Sequence, residues 1–320
     1  MDVLTIGVDV GGTKVAAGVV DSRGEISHKT RVPMVATSDA AKGFAAVRSA
    51  VDGVLSALGE GRVAVKGIGI CSPGPLDPFA GVVLNPPNVP CWRNYPLAGE
   101  TTRAFGIPAR LDNDANAAAL AEVLWGAGAG HGNVFYATLG TGIGTGIVFQ
   151  KKIYHGRTGS AAEGGHVSID YNGPVCGCGK RGCIEVLCSG PAIARRARAK
   201  LASGARSKIL ELAGGTAEAV KAEHVGQAYH EGDPVANEVL EETADLLAVW
   251  LGNTVDLLEP DVMVVGGGVA ELMSSFFGRI LEVLPRWSIN PRAREIPLVM
   301  ARYGADAGIA GAASICLEPV

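Results

Sequence analysis

Hydrophobic and polar positions along the chain form two strand-turn-strand patterns, one in each half. Apolar and β-branched residues run through 3–20 and again through 134–149, and glycines and threonines interrupt each run near its middle. A pair of apolar runs around such a turn predicts a β-hairpin. Two hairpins of the same plan indicate two related α/β lobes that face one cleft.

Helical periodicity predicts most of the remaining elements. The predicted helices cover residues 40–58, 188–212, 217–258 and 302–315. The last of these consists of small residues, which allow close packing, and we expect it to return to the first lobe. Near residue 262 a buried strand leads through three glycines into a further helix, predicted from about Ala270 to Leu284. Because a helix N-terminus attracts anions, Gly267 and Gly268 are candidate nucleotide-binding residues.

Length, charge and composition limit the classes of partner. The chain has 320 residues, 48% of them hydrophobic, enough for two lobes of about 150 residues each. Its net charge is -4, and no run of Lys or Arg exceeds two residues, which argues against a nucleic-acid partner. The first residues lack the basic segment of a secretory signal, and the apolar helical stretch 246–258 is too short for a membrane span. We therefore expect a cytoplasmic protein with small-molecule partners and no membrane association.

The glycine and threonine turns are candidate phosphate-binding sites. Glycine lets the backbone approach a phosphate closely, and the amides and hydroxyls of such turns donate hydrogen bonds to its oxygens. The first turn is followed by Lys14 and a strand, whereas the lysine of a P-loop opens a helix. Neither turn has the Gly-x-Gly-x-x-Gly spacing of a dinucleotide-binding fold. A plain structural hairpin is the alternative for the first turn.

Residues 163–185 combine metal-binding side chains with frequent glycines. Cys176, Cys178 and Cys183 follow the spacing Cys-x-Cys-x4-Cys, and His166 precedes them. Thiolates and imidazole are ligands that zinc prefers, and four protein ligands complete its tetrahedral shell. The chain has seven cysteines, an odd number, and the clustered three are too close together to read as a disulfide framework. The segment therefore predicts a structural zinc site.

A polar group at the end of a short strand supplies a candidate general base. Asp112, Asn113 and Asp114 precede an alanine-rich run that strongly favours a helix. Helix capping accounts for one of these carboxylates. The positive end of the helix dipole keeps Asp114 ionised if it lies at the helix N-terminus, and an ionised carboxylate can accept a proton from a hydroxyl nucleophile.

The proline-rich segment 85–92 shows neither helical nor strand periodicity. It is either an ordinary solvated loop or a ligand-binding loop in which Asn88 binds a hydroxyl group. Both readings are compatible with the polar and proline residues of the segment.

Three motifs together identify a family resemblance. They are Glu163-x-x-His166 with the cysteine cluster and Glu185, the segment 111–118, and Asn88-x-Pro-x-Trp92. With them the chain resembles, over nearly its whole length, the ROK family of bacterial sugar kinases and transcriptional repressors, and it is most similar to the glucokinases of that family. In the last motif, Cys91 stands where the family often has glycine.

The resemblance implies an α/β, actin-like ATPase (ribonuclease H-like) fold with two lobes around a cleft. On this basis we expect a small lobe of residues 1–114 and 304–320. The large lobe would comprise residues 115–303 and would carry the zinc loop. The family resemblance also implies a homodimer or a homotetramer.

The activity implied by the resemblance is transfer of phosphate from ATP to a hexose, glucose giving glucose 6-phosphate. Asp114 matches the family's general base, and Mg2+ bridges the phosphates in such reactions. The positions that match sugar ligands are Asn88, Asn113, Asp114, Glu163, His166 and Glu185. The residues expected to face ATP are Asp9, Gly11, Gly12, Thr13, Lys14, Thr138, Gly140, Thr141 and Gly142, with Gly267 and Gly268 beside them.

Several alternatives stay open at this point. The sugar could instead be N-acetylglucosamine, N-acetylmannosamine, fructose or mannose, because hydroxyl-binding residues recognise hexoses in general. A sugar-sensing regulator would need a DNA-binding domain ahead of the first hairpin, and only two residues precede the predicted strand. One ring nitrogen of His166 would bind zinc and the other the sugar, or the zinc would have no influence on the sugar.

Overall fold

The computed structural model describes residues 3–34 and 39–317, which form strands, α-helices and short 3-10 turns. The strands are β1 Leu4–Val10, β2 Lys14–Val20, β3 Ile26–Pro33, β4 Val65–Ser72, β5 Leu76–Asp77, β6 Val82–Val83, β7 Ala109–Asn113, β8 Asn133–Leu139, β9 Ile143–Phe149, β10 Lys152–Ile153, β11 Val262–Gly266 and β12 Leu298–Met300. The α-helices are α1 Ala40–Leu58, α2 Leu97–Phe105, α3 Asp114–Trp125, α4 Ile184–Cys188, α5 Gly190–Ala202, α6 Lys208–Leu212, α7 Ala222–His230, α8 Pro234–Leu258, α9 Gly268–Met273, α10 Phe277–Val283 and α11 Ala307–Ser314.

Two mixed five-stranded sheets have the same strand order. One is β3-β2-β1-β4-β7 and the other is β10-β9-β8-β11-β12. If the strands of each sheet are numbered in chain order, both sheets have the order 3-2-1-4-5. In the first sheet β1 is antiparallel to β2 and parallel to β4, which is parallel to β7. In the second, β9 and β10 are antiparallel, while β11 and β12 are parallel. The two predicted hairpins are confirmed as the starting strands of these sheets.

Contacts along the chain divide it into two compact units. Unit 1 comprises Met1–Tyr136, Gly146–Ala162 and Ala301–Val320, and unit 2 comprises Ala137–Thr145 and Glu163–Met300. The sequence-based boundaries, 1–114 with 304–320 against 115–303, differ from this division at 115–136, which includes α3, at 146–162, which includes part of β9 and all of β10, and at 301–303. Helix α3 lies in unit 1 because it packs closely along α11, where Ser314 Oγ lies 3.3 Å from the carbonyl oxygen of Ala117.

In unit 1, two glycines allow α11 to pack directly on the sheet. A Cβ atom on Gly7 in β1 would lie 1.9 Å from the carbonyl oxygen of Ile309, and one on Gly69 in β4 would lie 1.6 Å from that of Ala312. No side chain fits between these backbones, so glycine is required in both strands. Ile6 and Val8 of β1 and Ile68 and Ile70 of β4 are fully buried in the core.

In unit 2, α8 is the central helix and contacts α4, α5, α7 and α10. The region predicted as two long helical stretches, 188–212 and 217–258, contains α5 to α8 with turns between them. Within residues 3–34 and 39–317, none of the helices combines the length and the apolar character that a bilayer span needs.

The predicted helix from Ala270 to Leu284 is wrong in its extent. Helix α9 begins earlier, at Gly268, and ends at Met273, after which a 3-10 turn leads into α10. At the break the hydroxyl of Ser274 donates a hydrogen bond to the carbonyl oxygen of Glu271 at 2.7 Å. Serine side chains that bond to nearby backbone compete with the regular helical pattern, and this weakens a continuous helix at that point.

The close packing of α11 gives a test of the fold. Gly69→Ala should lower the free energy of unfolding by about 3 kcal/mol, because the added methyl group overpacks the contact with Ala312. Gly99→Ala in α2 is the matched control, since its Cβ would meet nothing within 4 Å. It should instead stabilise the protein, by up to about 1 kcal/mol. Urea unfolding followed by circular dichroism measures both, and equal stability of the two variants would contradict the packing.

Candidate active site

The first glycine turn lies beside the proline-rich loop in unit 1. The amide of Gly11 donates to the carbonyl oxygen of Lys14 at 2.9 Å, which closes the turn between β1 and β2. A Cβ atom on Gly12 would lie 2.6 Å from the carbonyl oxygen of Asn88. Glycine therefore allows the two segments to touch, and the structure brings Gly12 and Asn88 together. Thr13 and Lys14 are exposed at the turn.

Asp9 is the carboxylate nearest to this turn. Burial raises the pKa of Asp9, while a hydrogen bond from the Cys71 thiol and the positive charges of Lys14 and Arg31 act in the opposite direction. The thiol lies 3.6 Å from Asp9 Oδ1. A Cβ on Gly308 would lie 2.6 Å from Asp9 Oδ2, so the carboxylate faces the first turn of α11. It is a half-buried anion beside a lysine and a turn with accessible amides.

Buried side chains anchor the proline-rich loop. Trp92 is fully buried, stacks on Tyr95 with ring centroids 5.6 Å apart, and donates from Nε1 to the carbonyl oxygen of Ala40 at 3.3 Å. The Cys91 sulfur occupies the space next to Gly43 of α1, 2.6 Å from where a Cβ would be. Cys91 and Trp92 therefore anchor the end of this segment, while Asn85, Pro87 and Pro90 are exposed, so the packing fits both readings of the loop. Asn88 itself remains exposed at its tip.

The candidate base lies at the first turn of α3. Asn113 caps the helix, and its Oδ1 accepts hydrogen bonds from the amides of Ala115 at 2.9 Å and Asn116 at 3.3 Å. The cap is thus an amide side chain rather than the carboxylate that the sequence suggested. Asp114 follows as the first helical residue, exposed, with Oδ1 accepting from the Ala115 amide at 2.8 Å. Its carboxylate is not needed to cap the helix, and the NH2 group of Asn113 remains a donor.

A buried pair below this turn was missed by the sequence analysis. Asp112 is 3% exposed, and its Oδ2 lies 2.6 Å from Nε2 of His155. These residues are 43 positions apart, and no local pattern around His155 distinguishes it from an ordinary loop histidine. The pair lies entirely within unit 1.

The second glycine turn lies beside the start of α9 in unit 2. The amide of Gly140 donates to the carbonyl oxygen of Gly142 at 2.9 Å. The carbonyl oxygen of Gly140 accepts from the amide of Gly190 at 2.8 Å. Gly267 has a φ of 90°, and a Cβ there would lie 2.4 Å from the carbonyl oxygen of Leu139. The predicted nucleotide residues Thr138, Gly140, Thr141, Gly142, Gly267 and Gly268 are therefore brought together.

An open pocket of about 1100 Å³ adjoins the second turn. Its lining includes Gly140, Thr141 and Gly268, which the sequence had indicated. The rest comes from α5, α7, α9 and the segment before α7, with Arg198, Lys221, Gln227 and Glu271 among the polar side chains. Arg198, Gln227 and Glu271 were missed because the polar positions of their helices look like an ordinary solvated face, and Lys221 because it lies just before a helix, at its N-cap.

The cysteine cluster forms a compact set of four ligand atoms. The ligand atoms of His166, Cys176, Cys178 and Cys183 all lie within 4.8 Å of one another. The sulfurs of Cys178 and Cys183 are 3.6 Å apart, close to the separation of about 3.8 Å expected across a tetrahedral zinc ion with Zn–S bonds of about 2.3 Å. Burial and the neighbouring thiols raise the pKa of Cys183 to about 12. A bound cation would offset that cost, so the donor set fits zinc.

Glu185 connects the cysteine cluster to the second glycine turn. Its Oε2 accepts a hydrogen bond from the amide of Ile143 at 3.0 Å. Its Oε1 lies 4.0 Å from Nδ1 of His166 and 3.9 Å from the sulfur of Cys176. Glu185, a predicted sugar-binding residue, therefore contacts both the strand that follows the second glycine turn and the cysteine cluster.

Glu163 is exposed at the start of the 3-10 turn Gly164–His166. The amide of Gly164 donates to Oγ1 of the buried Thr145 at 2.8 Å. Its carbonyl oxygen accepts from Nε1 of the buried Trp250 in α8 at 3.1 Å. The backbone beside Glu163 is thus held from both sides, while the carboxylate of Glu163 is left at the surface of unit 2.

Comparison with known proteins extends this description to the whole chain. The sequence profile of the family described as "ROK family" matches residues 5–318. A glucokinase of Streptomyces coelicolor is 38% identical over 321 residues, which cover 99% of this chain and 98% of that protein. A glucokinase of Thermotoga maritima is 36% identical, with 98% of each chain covered.

A solved structure gives the same relationship at the level of the fold. It is a ROK family glucokinase from Streptomyces griseus in complex with glucose and AMPPNP, with a TM-score of 0.81 and 36% identity. The match covers 99% of this chain and 100% of that chain. With the motifs and the cysteine cluster described above, these matches lead to one conclusion: the chain belongs to the ROK family.

Proposed function

We propose that this chain is an ATP-dependent sugar kinase that converts glucose and ATP to glucose 6-phosphate and ADP. The observation that carries the proposal is the exposed carboxylate of Asp114, which stands at a helix N-terminus already capped by Asn113. The fold does not need this carboxylate as a cap, and its position suits a general base. The full-length likeness to glucokinases supports glucose as the acceptor.

Asp114 removes the proton from the glucose hydroxyl that attacks the γ-phosphorus of ATP. The bond from this oxygen to phosphorus forms, the bond to the leaving oxygen of ADP breaks, and the proton passes to the carboxylate. The N-terminus of α3 favours the ionised form that can accept the proton. The protein otherwise acts by positioning the reactants, because the transition state of phosphoryl transfer requires little further covalent chemistry.

In unit 1, Asn88 and Asn113 supply polar side chains for glucose hydroxyls. In unit 2, Glu163, His166 and Glu185 supply side chains of the same kind. Asn113 donates through its NH2 group, because its oxygen caps α3. The carboxylates accept from hydroxyls, and such charged hydrogen bonds are stronger than neutral ones.

In unit 2, the second glycine turn and the pocket beside it bind ATP. In unit 1, the first glycine turn is a further candidate for phosphate contact. The pocket of about 1100 Å³ next to Thr141 and Gly268 is large enough for the nucleoside. The amides of Gly12 and Gly142 and the hydroxyls of Thr13, Thr138 and Thr141 would donate to phosphate oxygens, and Lys14 adds positive charge. The amides of Gly11 and Gly140 instead close the two turns. Asp9 supplies the carboxylate oxygen that Mg2+ prefers. When bound, Mg2+ would neutralise the negative charge of the phosphates.

The four ligands of the cysteine cluster hold a structural Zn2+. Nδ1 of His166 is the ring nitrogen beside Cys176, at 3.7 Å from its sulfur. The other ring nitrogen, Nε2, is then available to a sugar hydroxyl. Zinc would in this way order the segment that presents Glu163, His166 and Glu185 to the sugar. The repeated strand order of the two sheets supports an actin-like, ribonuclease H-like fold around these sites.

Removal of the base tests the reaction mechanism. Asp114→Asn keeps the shape of the side chain but cannot accept a proton, so kcat should fall by about 10²- to 10⁴-fold. Coupled detection of ADP release measures the rate. Asp52→Asn is the matched control, because Asp52 is an exposed residue of α1 whose ion-pair partner is Arg48. Its kcat should equal that of the unchanged protein.

The same assay tests the acceptor. Glucose should give the highest kcat/KM among glucose, mannose, fructose, N-acetylglucosamine and N-acetylmannosamine. A higher value for another sugar would overturn the choice of glucose but not the kinase reaction. An Asp114→Asn variant with near-normal turnover would overturn the role of Asp114.

Zinc removal tests the metal site. Chelation should release one Zn2+ per chain, measured by mass spectrometry of the metal. It should also raise the KM for glucose at least about 10-fold, because the ligand-bearing segment loses its order. Cys178→Ser should have the same effect, whereas Cys316→Ser, which alters a cysteine of unit 1, should retain zinc and the normal KM. An unchanged KM for glucose in zinc-free protein would show that the metal has no influence on sugar binding.

The pocket of unit 2 gives a prediction for the nucleotide. Gly268→Leu places a side chain in open space, since a Cβ there meets nothing within 4 Å, and this space belongs to the pocket. The KM for ATP should rise at least about 10-fold, in line with the size of steric effects in small-molecule pockets, while the KM for glucose changes little. Gly278→Leu in α10, where a Cβ also meets nothing within 4 Å, is the control.

A further inference from the structure

A buried histidine supports the turn that carries the candidate base. Nε2 of His155 lies 2.6 Å from Oδ2 of Asp112, and the side chains are 14% and 4% exposed. His155 precedes the segment that leads to Glu163, whereas Asp112 is the second-last residue of β7. A carboxylate this deeply buried is costly unless donors or a positive charge compensate it. His155 is its ionisable partner.

The other carboxylate oxygen of Asp112, Oδ1, bonds to residues on both sides of the candidate base Asp114. Oδ1 accepts a hydrogen bond from the backbone amide of Asn113 at 2.7 Å and another from Nδ2 of Asn116 at 3.2 Å. Asp114 lies between these two residues. One carboxylate oxygen thus holds both ends of the turn, and the second oxygen is held by His155. The Asp112 side chain therefore contacts residues on both sides of Asp114.

Neighbouring groups also restrain the imidazole of His155. The ring meets Phe79 edge to face, with ring centroids 5.4 Å apart and an interplanar angle of 66°. Asp77 holds the backbone of the Phe79 turn, accepting from the amides of Phe79 at 2.9 Å and Ala80 at 3.0 Å. The imidazole therefore approaches Asp112 from a defined direction, which a flexible surface histidine could not provide.

The fold of this region has other sources of stability. Strand β7 pairs along its length with β4, from Ala109 opposite Ile68 to Asn113 opposite Ser72. Helix α3 packs along α11 through small residues. These contacts can maintain the strand and the helix without the imidazole. Strand β7 ends at Asn113 and α3 begins at Asp114, so the base lies at the junction of the two elements, where Asp112 adds its side-chain hydrogen bonds.

We propose that His155 is a positioning residue for phosphoryl transfer, which acts through Asp112 to hold Asp114 where it meets the sugar hydroxyl. His155 donates its Nε2 hydrogen to Asp112 and transfers no proton in the reaction. The proposal rests on the role of Asp114 as general base given above. A displacement of about 1 Å at a reacting group can cost about 10²-fold in rate, so a support of this kind affects turnover.

The first test compares two replacements of the histidine. His155→Phe keeps an aromatic ring against Phe79 but cannot donate to Asp112, and kcat should fall about 10- to 100-fold with little change in the KM for ATP. His155→Gln offers an N–H group and should recover most of the rate. His131→Phe, a half-buried histidine of the same unit, should behave as the unchanged protein. A normal kcat for His155→Phe would overturn the proposal.

The second test asks whether His155 acts through Asp114. In an Asp114→Asn background the base is absent, so adding His155→Phe should lower kcat no further, since residues that act as a unit are not additive. An equal loss in both backgrounds would indicate a general structural role and would also overturn the proposal. Thermal unfolding of every variant confirms that the protein is folded at the assay temperature. If His155→Phe does not fold, Asp112→Asn replaces it, with the same expected fall in kcat.

The two proposals fail in different ways. A wrong assignment of the base appears as near-normal turnover of Asp114→Asn alone. A wrong assignment of His155 leaves Asp114→Asn impaired while His155→Phe stays fully active.

Discussion

Direct contact between backbones, made possible by glycine, is the constraint on which the positions of the functional segments depend. At Gly69 the backbone of β4 meets α11 with no room for a methyl group, and at Gly12 the first turn meets the loop of Asn88 in the same way. In unit 2, Gly267 brings the start of α9 against the end of β8. Such contacts leave little freedom for adjustment, because a closely packed interior transmits small displacements. The segments that carry chemistry are thereby held within each unit at well-defined places.

A second regularity is that exposed functional side chains are supported by buried ones close to them in sequence. Asp114 is exposed and rests on the buried Asp112, and Asn88 is exposed on a loop anchored by the buried Trp92. The backbone beside Glu163 is held by buried partners in the same manner. This division is physically reasonable, since a group that meets substrate must reach solvent, while its support must be shielded from competition with water. Phosphoryl transfer depends mainly on positioning, so the buried supports matter for rate as much as for stability.

In the segment of the cysteine cluster, a metal ion would provide the support that buried side chains provide elsewhere. The segment between His166 and Glu185 is rich in glycine and has few apolar side chains to bury, so packing alone gives it little order. A tetrahedral ion would replace the missing core, as structural zinc does in small domains. Glu185 then joins this locally ordered segment to the second glycine turn through the amide of Ile143. The cysteine cluster and the second glycine turn of unit 2 are thereby connected through one carboxylate.

The amino-acid sequence by itself determined the features that depend on near neighbours. The hairpins around the glycine turns, helix α1 with its bounds at Ala40 and Leu58, and the spacing of the cysteines were all readable, because periodicity, turn chemistry and ligand spacing are local properties. It did not determine that α3 belongs to unit 1 or that a pocket opens beside α7. Nor did it indicate that His155 meets Asp112. Each of these depends on which distant segments pack together, and that choice is made by the summed burial and hydrogen bonding of the folded chain rather than by any pattern along it.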